Sequence, residues 1–306
     1  METIDAVSKI AEIASRGTGA LWAPKQIKRM AKADVFAKEK MAECLKNIGV
    51  PTMHIDERTI MLSPEMKELI ENAEKRRMTQ AIWEEQNLNN VVKHTYDVLG
   101  DTVVPDQRPS DDWSIKFFKN AQDVSIEELQ IMWGKILAGE IKKPKSFSIR
   151  TLDVLKNLCM EDAHLFQRAC ELVLFLDREK IIVNDRKFLD GFGLNVLDFS
   201  KLQQYGLIDQ GLLSINIPIG DKTIVHNRKH IGIFTNNSKY EENISIYLLT
   251  EAGKELFKII DYEPNLKHLK EIVEMHKKIT VDIHLINTIK DDDTVEDYHT
   301  ESLKDE

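Results

Sequence analysis

The sequence has little cysteine, no long apolar run, no excess of positive charge and none of the short motifs that carry common enzyme chemistries. Its three cysteines, Cys44, Cys159 and Cys170, form no CxxC pair and no even disulfide framework, which fits a reducing cytoplasm. No stretch approaches the roughly 18 consecutive apolar residues of a membrane-crossing helix, and the N-terminus lacks the basic-then-apolar pattern of a secretory signal. The formal net charge is −9, so global charge gives no pull toward nucleic acid. Hydrolytic triads, Walker loops, dinucleotide glycine fingerprints and HExxH motifs are missing, which leaves no catalytic, cofactor-binding or metal-binding residue to name. The expectation is a protein that is not an enzyme and carries no cofactor.

What is there begins with uneven acidity. The last seventeen residues hold eight acids against two lysines, so residues 290–306 read as an acidic disordered tail on a body that is close to neutral. With 42% hydrophobic and 30% charged residues, that body has the balance of a folded globular chain.

Residues 125–158 look like the centre of the fold. Ser125 and Glu128 have the form of a capping box. Leu129, Met132, Trp133, Ile136 and Leu137 then share one helical face. Lys142, Lys143 and Pro144 end that helix, and Ser148 can cap a second one carrying Leu152, Leu155 and Cys159. An αα-hairpin is expected. Arg150 stands in the first turn of the second helix, where the positive end of the helix dipole disfavours a cation. A structural ion pair with Glu140 or Asp153 is therefore expected for it.

Along the rest of the chain, residues 1–49 read as helices, with Gly17 and Gly19 as a hinge. Lys25, Lys28, Arg29 and Lys32 recur at helical spacing, either as a solvated face or as a docking surface for an anion or partner. Residues 49–63 read as a linker, in which His54, Asp56 and Glu57 are a loop charge cluster rather than metal ligands. Residues 64–100 read as one long helix, whose length implies packing along another helix or a second subunit. Residues 110–178 form the central helical core: Trp113, Phe117 and Phe118 lie on the hairpin, Asp162 caps a helix buried nearly all round, and Cys159 and Cys170 are small core residues.

From residue 179 to 289 the pattern shortens and alternates. A helix ending in Leu202, Gly206, Leu207 and Ile208, a β-hairpin, and then Leu249, Thr250, Gly253 and Leu256 follow the order of a winged-helix module with a closing helix. The expected fold is thus mostly α, a helical N-terminal and central bundle with a C-terminal winged-helix-like α+β module. His226 and His230 fall in a turn between strands, where their spacing does not make a metal site. Gln203 and Gln204 on the helix, with Lys222, Arg228 and Lys229 on the wing, are the candidate nucleic-acid contacts, but so few cations would hold phosphate weakly.

Residues 17–29 (GTGALWAPKQIKR), 133–140 (WGKILAGE), 147–152 (FSIRTL), Asp162, Ala163, Phe166 and residues 249–256 resemble an uncharacterised bacterial family, a domain of unknown function. Over the hairpin and the wing the chain is also similar to abortive-infection alpha proteins. These likenesses imply a bacterial, cytoplasmic, largely helical protein, and they supply no active site. The leading expectation is a non-enzymatic interaction or sensor protein of antiviral defence that forms a homo-oligomer or docks another defence protein. The alternatives are a DNA-binding winged-helix regulator and, from the apolar face before Trp22 and the basic stripe after it, an effector at an anionic membrane surface.

Overall fold

Strand content is higher than the sequence pattern implies. The protein is 49% helical and 22% strand and carries an eight-stranded antiparallel sheet, a mixed α/β architecture that overturns the expectation of a mostly α fold. The computed structural model describes residues 9, 10, 13, 52–56, 59–62, 64–100, 102–211, 213–264, 266–290 and 292–299. The chain divides into two compact units, residues 1–146 and 147–306. That boundary falls inside the loop of the expected central hairpin, so its two helices belong to different units.

In the first unit, residues expected to form a linker make a hairpin of β1 (Thr52–Asp56) and β2 (Thr59–Leu62). The long helix α1 (Pro64–Leu99) is as expected. Gly100 ends it at φ +52°, its amide donating to the Tyr96 carbonyl at 2.7 Å, in the left-handed conformation that glycine adopts at a helix C-terminus. Two further helices follow, α2 (Asp111–Ala121) and α3 (Glu127–Lys142). The second half of α1 packs on α3 through Val91, Thr95 and Leu99, buried at four-residue intervals. Gly134 permits the close approach, since a Cβ there would stand 2.7 Å from that of His94. Trp113 stacks on Phe117, which meets Trp133 edge-on at 5.1 Å, so the aromatics of α2 do lie on α3. The capping box at Ser125 is not formed. Ile126 holds the N-cap position without a side-chain bond, and Glu127 and Glu128 both sit in the first turn, where they complement the dipole.

The second unit opens with α4 (Ile149–Leu155), capped by Ser148 as expected, and α5 (Met160–Cys170), where Asp162 accepts the Cys159 amide at 3.1 Å. Cys170 is buried as expected, but Cys159 is exposed. The helix expected to run on past Phe175 stops at Cys170, and Leu174–Leu176 become strand β3. An apolar run buried on all sides has no period to tell helix from strand. Then come β4 (Glu179–Val183), α6 (Arg186–Gly191), α7 (Val196–Gln204), β5 (Leu213–Ile217), β6 (Lys222–His226), β7 (His230–Asn236), β8 (Glu242–Leu248), α8 (Glu251–Phe257), α9 (Lys267–Met275), β9 (Ile279–Ile289) and β10 (Val295–Tyr298). The sheet order is β10-β9-β7-β6-β3-β4-β8-β5.

Two corrections follow from that order. The hairpin β6–β7 is no free wing, because it lies inside the sheet between β3 and β9, and β7 is buried along most of its length. The tail is ordered in part, since β10 pairs with β9. Beyond β7 the sheet curls: the Asn236 side-chain amide donates to the Ile217 carbonyl at 2.9 Å, tying the end of β7 to the end of β5. Ile181, Ile215, Val225 and Phe234 fill the concave side with Ile272 of α9, leaving a cavity of about 10 Å³. That is room for about one water and not for a ligand.

The two segments taken as motif ends do meet. The Thr250 hydroxyl donates to the Gly206 carbonyl at 2.6 Å, and its amide donates to the Leu207 carbonyl at 3.1 Å. A Cβ on Gly253 would stand 2.1 Å from the Leu207 carbonyl oxygen. Gly253→Ala is therefore expected to cost about 3 kcal/mol, the upper part of the overpacking range, read as a lower urea midpoint. A change within about 0.5 kcal/mol, the size typical of harmless surface substitutions, would show that the loop yields freely.

Candidate functional site

Cross-strand register places Lys180 opposite Phe175, and Phe175 opposite His226. Directly opposed residues share a face of the sheet, so these three form a row across β4, β3 and β6. His226 stacks on Phe175 with ring centroids 4.7 Å apart and planes 12° from parallel. Phe257 meets Phe175 edge-on, and Tyr262 packs against Phe257. Above these rings sit two cations. The Lys180 ammonium is 4.7 Å from the Phe175 centroid, and the Arg228 guanidinium carbon is 5.2 Å from Phe175 and 5.3 Å from Phe257.

Both cations bind one carboxylate. Arg228 Nη2 and Nε lie 2.7 and 2.9 Å from Asp293 Oδ1, while Lys180 Nζ is 3.1 Å from Oδ2. Asp293 comes from the β9–β10 turn, and in the sheet order β9 is four places from β4, which supplies Lys180. The acidic segment is thus tied to the middle of the sheet. Arg228 and Asp293 both have left-handed backbone, φ +69° and +66°. This is strained for arginine, and it persists because the ion pair and a bond from the Arg228 amide to His226 Nδ1, 3.3 Å, hold the turn.

The shifted groups of the cluster have moved away from neutrality. Burial pushes His226 down to about 4 and Tyr262 up to about 12, and burial raises the Cys170 thiol well above its ordinary value. None of these three is poised to exchange a proton near pH 7. What the cluster does is neutralise and fix two cations on an aromatic platform. Among the described residues, no group of three or more His, Cys, Asp or Glu is placed to hold a metal ion.

The nucleic-acid candidates are not brought together. Arg228 is engaged by Asp293. The Gln203 amide donates to the Asp209 carbonyl at 2.9 Å, and only Gln204, Lys222 and Lys229 stand exposed. Lys222 begins β6 and Lys229 lies past its other end, a separation of more than about 13 Å at the rise of a strand. Lys25, Lys28, Arg29 and Lys32 lie outside the described residues.

The ion pair expected of Arg150 is not formed; the side chain is exposed. Glu140 instead accepts the Lys145 amide at 2.6 Å, and Asp153 pairs with Lys156 at 2.7 Å. The negative charge that the first turn of α4 calls for comes from Glu255, which accepts the Ser148 amide at 2.6 Å and the Thr151 hydroxyl. Arg150→Ala is accordingly expected to change stability by less than about 0.5 kcal/mol, whereas Glu255→Ala should cost about 1 to 2 kcal/mol as a lost cap. Thermal melts of the two variants in parallel check this order. Asp293 and Glu255 escaped sequence reasoning because each acts on a residue more than a hundred positions away, Lys180 for the first and Ser148 for the second.

A second feature lies in the first unit. Before Asn87, α1 is exposed over most of its surface and presents Leu69, Met78, Ile82 and Trp83, each more than half exposed. Among the described residues, no helix is long and apolar enough to cross a membrane.

Comparison with curated proteins and with solved structures found no match. A family model does match, over residues 71–273, a span that takes in the later part of α1 and most of the sheet but not the segment 17–29. The chain belongs to this family, described as a protein of unknown function (DUF2806).

Proposed function

We propose that this chain is a non-enzymatic interaction protein whose working surface is the exposed part of α1, with the sheet unit as a fixed platform or sensor. The observation that carries the reading is the exposure of Met78, Ile82 and Trp83, 69%, 53% and 64%, on a helix whose other half is packed into a core. Large apolar groups clustered on one exposed element mark an association surface. The DNA reading is weaker, because Arg228 is held by Asp293 and the remaining cations are scattered. The likeness to abortive-infection alpha proteins supports a place in bacterial antiviral defence, and the scattered cysteines support a cytoplasmic one.

The test is size exclusion with light scattering on the full chain across micromolar concentrations, combined with amide exchange of α1. A mass above that of one chain, with exchange slowed in residues 66–86 as concentration rises, is the expected result. A monomer throughout, with α1 exchange independent of concentration, would remove this surface from the argument.

A further inference from the structure

The exposed half of α1 carries a seam that complements itself. Glu71, Lys75, Met78, Ile82, Glu85 and Asn89 follow one another at intervals of four, three, four, three and four residues, the spacing of a coiled-coil contact line. Ile82 and Val91 are nine residues apart, half a revolution at 100° per residue, so the seam faces away from the side that packs on α3. A helix laid along it meets no obstacle from the α3 side.

We propose that the occupant of this seam is a second copy of the chain, running antiparallel about a two-fold axis at Gln80. This rests on the reading above, that α1 is the association surface. About that axis, residue 78 of one copy faces residue 82 of the other, 75 faces 85 and 71 faces 89. Met78 then packs on Ile82 in the two central layers, Lys75 meets Glu85 on either side, and Glu71 meets Asn89 beyond. In a parallel pair each residue would face itself, setting Lys75 against Lys75 and Glu85 against Glu85. Opposite charges face each other only in the antiparallel register, so charge selects it. Among the described residues neither Lys75 nor Glu85 has an ion-pair partner, and both Met78 and Ile82 are more than half exposed. A two-fold contact of this kind closes on itself and yields a dimer rather than a filament. With four apolar side chains at its centre, the dimer is concentration-dependent.

Charge exchange tests the register in the full chain, with dissociation constants measured by analytical ultracentrifugation. Lys75→Glu sets a carboxylate against Glu85 in both flanking layers and should weaken the dimer about tenfold or more, and the double change Lys75→Glu with Glu85→Lys should restore it to within about threefold. Both positions are on the helix exterior, so folding is not at stake. With Cys44 and Cys159 changed to serine, the paired change Lys75→Cys with Glu85→Cys, two positions that face each other across the seam, should form an intermolecular disulfide on mild oxidation. Glu71→Cys should not, because two copies of residue 71 would be about 27 Å apart along the axis. A dimer that is not restored by the double change, or one cross-linked through residue 71, would overturn the register while leaving α1 as the association surface. A wild-type chain that never dimerises would overturn both.

Discussion

Replacing Asp293 with alanine is expected to destabilise the protein by about 3 kcal/mol, the lower end of the cost of removing one partner from a buried charged cluster. Two cations depend on that carboxylate. Lys180 is 10% exposed and Arg228 34%, so after the change both remain largely out of water with only aromatic faces to answer their charge. The lower figure applies because Arg228 reaches solvent and is partly screened there. Asp293→Asn should recover little, since an amide accepts one of the two cations only weakly and carries no charge. Lys180→Met should be far milder, because it leaves Arg228 and Asp293 as a balanced pair and puts an apolar side chain on Phe175. Urea denaturation at neutral pH gives the order of the three. Amide exchange should locate the first loss in β10, whose turn Asp293 anchors. If Asp293→Ala cost no more than Lys180→Met, the cluster would be acting as an ordinary surface ion pair.

That cluster shows where sequence reasoning stopped. Local signals were legible: the ends of α1, the Ser148 cap, the aromatic contact of α2 with α3, and the meeting of Gly206 with Thr250 all rest on residues that state their role through spacing or side-chain type. Sheet membership was not. β3 has three residues and joins β6 through the single pair Phe175 and His226, a long-range fact with no local period. Asp293 lies in a run of three aspartates that composition assigns to a solvated tail, and only the turn between β9 and β10 singles it out. Arg150 differs from expectation for a related reason: the helix start does need a carboxylate, but the acid is Glu255 from across the fold, and it binds the Ser148 backbone rather than the arginine. The seam on α1 was half visible, since its length implied a partner helix, while the face left over after packing on α3 appeared only once Val91, Thr95 and Leu99 were seen buried.

Stability should fall steeply as the pH is lowered from about 6.5 toward 4, by roughly 3 kcal/mol per pH unit from His226 and His268, which are buried neutral, with His230 lowered by burial in the same direction. His268 is fully buried and neither ring nitrogen has a hydrogen-bond partner. Burial, with a smaller contribution from nearby His230, pushes it down to about 3. His226 is held at about 4 by burial, partly opposed by the Asp293 carboxylate and reinforced by Arg228 and Lys180. Its Nδ1 accepts the Arg228 amide, and protonation would remove that acceptor. Both folded values lie below the ordinary histidine value of about 6.5 that applies to the unfolded chain. The unfolded state therefore takes up protons first. The stabilisation is complete above that value and is lost progressively as pH falls toward the folded values, each group contributing roughly 1.4 kcal/mol per unit. Asp162, whose carboxyl is lowered, acts in the same direction, but only below about 4, the ordinary aspartate value, and so outside this window. Urea denaturation of the wild type across the window measures the slope, and His268→Leu should cut it by about a third to a half, since His226 and, in the same direction, His230 supply the rest. Leucine fills a similar volume and removes two unpaired nitrogens from the core, so the same variant should be no less stable at neutral pH. A slope unchanged by His268→Leu would mean that the buried imidazole is not what the protein loses to acid.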